Sequence, residues 1–192
     1  MPKIVDHDAR RREIVEASWK VIAGEGLDGL TMRKIAAAAG CTTGRLTHYF
    51  ANREALVLAA LRAVYSAAAV RMTEALEAGG TAGERLLRIL EETLPLDEMR
   101  LHEWKVWIAF WAAAAANETL AQENDVRHER WRDAILPLIA EIAPASDPTY
   151  EAVRIMGIVD GLGIQAAVHP TAENRARARE TLAAHLRALE LE

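Results

Sequence analysis

Apolar residues recur at three- and four-residue steps along almost the whole chain, and no segment shows the β-branched alternation of a strand. Such spacing gathers apolar side chains on one face of a helix. Ile14, Ala17 and Val21, with Val15, Ser18 and Ile22 beside them, form the first such face. Alanine, leucine, arginine and glutamate dominate between the breaks, and all four are strong helix formers. The chain is therefore read as all-α.

Caps and breakers divide it into about nine helices. Gly24 and Gly26 close the first, as C-terminal glycines do. Thr31 caps a short helix over 32–39, stopped by Gly40, and Thr42 caps a second that runs to about Tyr49. Asn52 opens a long helix with Leu58, Leu61, Tyr65, Ala68, Met72 and Leu76 on one face, ended by Gly79-Gly80. Thr81-Ala82-Gly83-Glu84 has the form of a capping box and starts a helix to about Thr93. Pro95 separates it from a tryptophan-rich helix over roughly 97–116. Asn117 caps the next, roughly 118–143, in which Pro137 predicts a kink or break. Asp147-Pro148 starts a helix to about Val168, and Pro170-Thr171 opens the last.

Composition excludes several classes. At 192 residues, 51% hydrophobic and 27% charged, the chain can bury a core, which excludes disorder as its main state. The single Cys41 excludes a disulfide framework and a multi-cysteine zinc site, and fits a reducing, cytoplasmic setting. The polar stretch Met1 to Ala9 does not read as a signal peptide. The longest apolar run, Val106 to Ala116, is 11 residues, where a membrane span needs about 20, so no membrane is expected. Charge is uneven: residues 1–53 hold nine basic and six acidic side chains, the remainder 14 and 22. A basic head on an acidic body aims one end at a polyanion. Chance partition of surface charge gives the same counts.

Gly24-Glu25-Gly26-Leu27-Asp28-Gly29 matches the spacing of a dinucleotide-binding loop. That loop works only between a strand and a helix. A helix precedes it here and no strand follows, so it reads as loop punctuation.

The two short helices over 31–50, joined by Gly40-Cys41-Thr42, have the layout of a helix-turn-helix. Ile35, Ala36, Leu46 and Phe50 suit its shared core, and Ala36 and Ala39 let the helices cross closely. The second helix then presents Thr42, Thr43, Gly44, Arg45, Thr47, His48 and Tyr49 near or on its outer side. Hydroxyls, a guanidinium, an imidazole and a phenol suit phosphates and base edges in a major groove. Gly44 removes a side chain where backbone meets DNA. An ordinary helical corner has the same spacing.

The run from Gly26 to Leu56, with Gly26, Thr31, Ile35-Ala36, Ala39-Gly40, Thr42, Gly44, His48-Tyr49-Phe50 and Arg53, resembles the DNA-binding domain of the TetR family of transcriptional regulators. Cys41 and Thr47 depart from the residues usual there. The Thr-His-Tyr-Phe ending, and residues 104–120, resemble the BetI-type, choline-responsive branch. The resemblance implies a three-helix DNA-binding domain over 1–52 and a helical ligand-binding and dimerisation domain over 53–192. It implies helix caps at Thr31 and Thr42, base contacts from Thr43, Gly44 and Arg45, and phosphate contacts from Thr47, Tyr49 and Arg53. His48 is expected to pack inward. Arg10, Arg11 and Arg12 suit a basic arm or a solvated helix start.

Trp104, Trp107 and Trp111 share one short stretch, with Trp131 on the following helix. Indole walls suit an organic ligand and indole faces attract quaternary ammonium groups. Glu103 and Asp160 are candidate acids beside them. Tryptophans at helical spacing equally suit a plain core. The stretch 148–168 is apolar nearly all round, with Asp160 and Gln165 as exceptions and candidate ligand contacts. A buried Asp160 needs a ligand or a donor such as His128 or Arg154. Gly157 and Gly161, one turn apart, allow close approach of a helix, from the same chain or a second copy. The resemblance favours the second copy, with Leu182 and Leu186 of the last helix joining the interface.

His102-Glu103 and His128-Glu129 are adjacent along helices and do not face one another, and no catalytic motif appears, so no catalytic residue, metal or cofactor is assigned. The expected function is a regulator, a repressor in the first instance, that binds a palindromic DNA operator as a homodimer. A small organic ligand, with quaternary amines as candidates, releases it. The alternative is a helical small-molecule-binding protein or enzyme that uses the tryptophan pocket.

Overall fold

The computed structural model describes residues 6–27 and 29–189, all helix or connecting turn. Lys3 of the basic head, the start of the polar stretch from Met1, and Asp28 of the glycine-rich turn lie outside the described residues. Nine helices are present among those described: α1 His7–Glu25, α2 Met32–Ala38, α3 Thr43–Tyr49, α4 Arg53–Glu77, α5 Ala82–Glu92, α6 Glu98–Ala114, α7 Glu118–Ile142, α8 Pro148–Val168 and α9 Ala172–Leu189.

The ends fall where side-chain oxygens meet orphan backbone N–H groups. Thr31, Thr42, Asn52, Thr81, Asp97, Asn117 and Asp147 each accept from the first turn of the helix they open. Thr81 and Glu84 complete the capping box, with the Thr81 N–H donating to Glu84 Oε2 at 2.9 Å. Gly26 ends α1 with φ of 69°, a left-handed conformation that glycine adopts at little cost.

Pro137 is the exception. Neither a break nor a change of element occurs there, and α7 runs through it to Ile142. Ile135, Leu138 and Ile139 around it are buried against the body, and that packing outweighs the one backbone bond a proline removes.

Two cores form. The first joins α1, α2 and α3 to α4 and α6, through Leu30, Ile35, Leu46 and Phe50 above and Leu61, Leu101 and Phe110 below. Trp19 crosses it and donates to the Ala60 carbonyl at 2.9 Å. The second joins α5, α7, α8 and α9, through Leu86, Leu90, Ile139, Ile155 and Leu182. Among the described residues α4 is long and apolar enough to cross a membrane, with mean hydropathy 1.5 over its most apolar stretch, a property that the core helix of a globular chain shares. Arg62 and Arg71 hide it from a count of uninterrupted apolar residues. Leu56, Val57, Leu61 and Val64 on this helix are buried, within a core it shares with α1 and α6.

Candidate functional site

The head presents α3 on its outside. Thr42 Oγ1 accepts the Arg45 N–H at 3.2 Å, and Thr31 Oγ1 accepts that of Lys34 at 3.3 Å. Leu46 and Phe50 turn inward, which leaves Thr43, Gly44, Arg45, Thr47 and His48 exposed. Arg45 has no carboxylate or carbonyl partner among the described residues. Gly44 has no positive φ, and a Cβ there would meet nothing within 4 Å. The fold itself therefore does not require glycine at this position. Thr47 bonds back to the Gly44 carbonyl at 2.9 Å.

Three expectations about the head need correction. His48 does not pack inward; it is exposed, edge-on to half-buried Tyr49 at 5.5 Å between ring centroids. Arg53 is not held out for a phosphate. Its Nε donates to the Leu30 carbonyl at 2.8 Å and its Nη2 to that of Leu27, closing the turn before α2. The Leu30 carbonyl has no backbone partner among the described residues, the Leu27 carbonyl also accepts the Leu30 N–H at 3.1 Å, and the guanidinium fork matches both at once. Arg10 and Arg11 are likewise not a free arm. Arg10 donates to the Ala39 carbonyl at 3.1 Å and Arg11 lies 4.8 Å over the Phe50 ring. Arg33 on α2, which the motif did not single out, is exposed.

The body holds a cavity of about 340 Å³ lined from α4, α5, α6, α7 and α8. Trp104, Trp107, Trp111, Trp131 and Asp160 all line it, together with Tyr65, Met72, Arg127, His128 and Arg130. The tryptophans are both wall and core. Trp107 stacks on Tyr65 at 5.9 Å, and Trp104 meets Trp107 and Trp111 edge-on at 5.3 and 5.7 Å. The Trp104 N–H is satisfied by the Thr93 carbonyl at 2.7 Å and that of Trp111 by Asn124 Oδ1 at 3.0 Å. Those of Trp107 and Trp131 are buried without a partner among the described residues. Tyr65 joined the site through the periodic face of α4, whereas Arg127 and Arg130 gave no sequence signal beyond their charge.

The electrostatics of the cavity follow from burial. Asp160 accepts no hydrogen bond among the described residues, and burial pushes its carboxyl up to about 6. Burial raises the Tyr65 hydroxyl to about 12 and lowers the His128 imidazole, which favours its neutral form. Glu123, at the rim, is held down at about 2 by Arg62 and then Arg127. Arg127 in turn lies 5.6 Å over the Tyr65 ring.

Other candidates fall elsewhere. Gln165 is exposed and outside the cavity, because five residues turn a helix by about 500°, roughly 140° away from Asp160. Glu103 is buried against Arg71 instead of facing the cavity. Arg154 pairs with Glu151 and not with Asp160. Leu182 and Leu186 are not free for a second copy; they lie in this chain's second core, because α9 has one apolar stripe and its own body covers it. Gly157 and Gly161 face open space, and Gly163 is the glycine that this chain needs: a Cβ there would sit 2.0 Å from the Trp104 ring.

Family models match both parts. Residues 14–60 match bacterial regulatory proteins of the tetR family, and residues 82–190 match the C-terminal region of BetI-type transcriptional repressors. The HTH-type transcriptional regulator PksA of Bacillus subtilis is 31% identical, over 98% of this chain and 94% of that protein. BetI of Rhizobium meliloti is 27% identical, over 86% and 81%. A solved regulator from Saccharomonospora viridis, in complex with choline, superposes with a TM-score of 0.84 at 27% identity, covering 91% of this chain and 94% of that one.

Proposed function

The chain belongs to the TetR family of bacterial regulatory proteins and is a DNA-binding transcriptional regulator; on that premise we propose that it is a cytoplasmic repressor, released from a palindromic operator by a small organic ligand in the tryptophan-lined cavity. Residues 1–52 are the DNA-binding unit and 53–192 the ligand-binding and dimerisation unit. The observation that carries the DNA assignment is the outer side of α3, where Gly44 is open and Arg45 is exposed with no partner among the described residues. Thr31, Thr42, Thr43, Thr47 and Tyr49 supply hydroxyls around it, for phosphates and base edges.

Two copies pair through α8. Tyr150, Val153, Gly157, Gly161, Ile164 and Val168 recur at helical spacing along its exposed side, with Tyr150 64% and Val168 72% exposed. Such a stripe on a two-fold axis is self-complementary. Their α3 helices then enter successive major grooves about 34 Å apart. Ligand favours a different spacing by binding one state more tightly than the other. Arg127 lines the cavity and shares Glu123 with Arg62 of α4, the helix on which the head is seated.

Quaternary amines are the first candidates, since indole faces and Asp160 meet in one cavity and the choline-bound regulator has this fold. The test is footprinting on a palindrome from the protein's own promoter region, then titration of choline and betaine aldehyde with tryptophan fluorescence and operator release as readouts. Expected are protection of two half-sites and release by millimolar amine. Equal protection of scrambled DNA would overturn the operator assignment, and a silent titration the amine.

A further inference from the structure

The cavity carries opposite charges at two separate places. Asp160 faces it from α8, half-buried and without a hydrogen-bond partner among the described residues. Arg130 faces it from α7, exposed and with no carboxylate partner among the described residues. The remaining cation there, Arg127, is already held by Glu123 at 2.7 Å. One acid and one base are therefore left to a ligand.

They lie toward different ends. Arg62 meets Glu123 and Tyr65 meets Asn124, so α4 and α7 run in the same direction along the cavity. Gly163, one turn from Asp160 on α8, lies under the Trp104 ring, which in turn meets Trp107 and Trp111, and this puts Asp160 at the aromatic end. Arg130 stands six residues beyond Asn124, about 9 Å further along the helix axis. A half-buried carboxylate walled by indoles suits a cation, whereas an exposed guanidinium suits carboxylate or phosphate oxygens.

We propose that the cavity takes a charge-separated ligand, with its cationic end at Asp160 and an anionic end at Arg130. This rests on the reading of the cavity as the ligand site and sharpens it. A bare amine satisfies only one of the two groups. A zwitterion has no net charge to draw it toward an acidic body, so preference for it over the amine requires a cation placed at the far end.

The test is calorimetric titration of the full-length protein with four probes: tetramethylammonium, choline, glycine betaine and phosphocholine. Glycine betaine or phosphocholine should bind about fivefold more tightly than choline, the ratio an exposed ion pair supplies. Arg130→Gln should remove that advantage and leave choline where it was. Asp160→Asn should weaken all four. Choline binding as tightly as both charge-separated probes, or Arg130→Gln weakening choline as much as phosphocholine, overturns the proposal and leaves the cavity as an amine site. No heat with any probe overturns the proposal and the amine reading together.

Discussion

Glu103 of α6 grips Arg71 of α4 at two points: Nη1 donates to Oε1 at 3.0 Å and Nη2 to Oε2 at 2.7 Å. The Glu103 side chain is 2% exposed, and Arg71 also reaches Glu92 of α5, which takes Arg100 as well. A carboxylate so far from water is tolerable only with such a partner. The pair fastens the helix that carries the head to two helices of the body.

Glu103→Gln should therefore cost stability and leave the cavity's chemistry intact. Arg71 keeps Glu92, so the loss should be about 2–3 kcal/mol, below the 3–5 of a fully isolated buried charge. Urea denaturation measures it. A loss under about 0.5 kcal/mol would show that the two-point contact contributes nothing net.

Gly161→Leu should leave the monomer folded and break the dimer. A Cβ at this position meets nothing of the described chain within 4 Å. Leucine is also the better helix former by up to about 1 kcal/mol. Light scattering over a dilution series should show monomer where the parent is dimeric. An unaltered dimer would mean that the α8 face looks onto solvent.

Arg45→Ala should weaken binding to operator more than to scrambled DNA, because a base-edge contact carries about 1–3 kcal/mol of discrimination. Band shifts on both DNAs at one salt concentration give the ratio. Equal weakening on the two would make Arg45 a phosphate contact.

Asp160 makes stability fall as pH rises. Its carboxyl titrates near 6 in the folded chain against an ordinary value of 3.8, so between those values the folded state binds more protons than the unfolded one. The burial cost is absent below about pH 4, grows toward pH 6, and is complete above it. It amounts to no more than about 3 kcal/mol, at about 1.4 kcal/mol per pH unit. Asp160→Asn should remove this slope and be the more stable protein at pH 7. Melting temperatures of the pair from pH 4 to 8 check it, and parallel profiles would show that Asp160 is better solvated than its burial implies.

The helices were legible in the sequence because what ends a helix is local. Thr31, Thr42, Asn52, Thr81 and Asp147 each act on backbone within three residues, so no distant partner decides whether they cap. The helix-turn-helix was legible for the same reason, with Gly40 and Thr42 setting its turn. Tertiary structure decided which partner each exposed or apolar group meets. An apolar stripe fixes that Leu182 and Leu186 face something, and only packing made that something α5 and α8 of the same chain. Three glycines on α8 are alike in sequence, yet Gly163 lies under Trp104 while Gly157 and Gly161 lie under nothing. Arg53 is spaced for a phosphate, but two turn carbonyls 23 and 26 residues earlier reach it first. Pro137 obeys its local chemistry in losing one backbone bond, and the buried Ile135, Leu138 and Ile139 around it hold α7 together regardless. Local hydrogen-bond geometry is written in neighbouring residues, whereas burial is set by contacts between residues tens of positions apart.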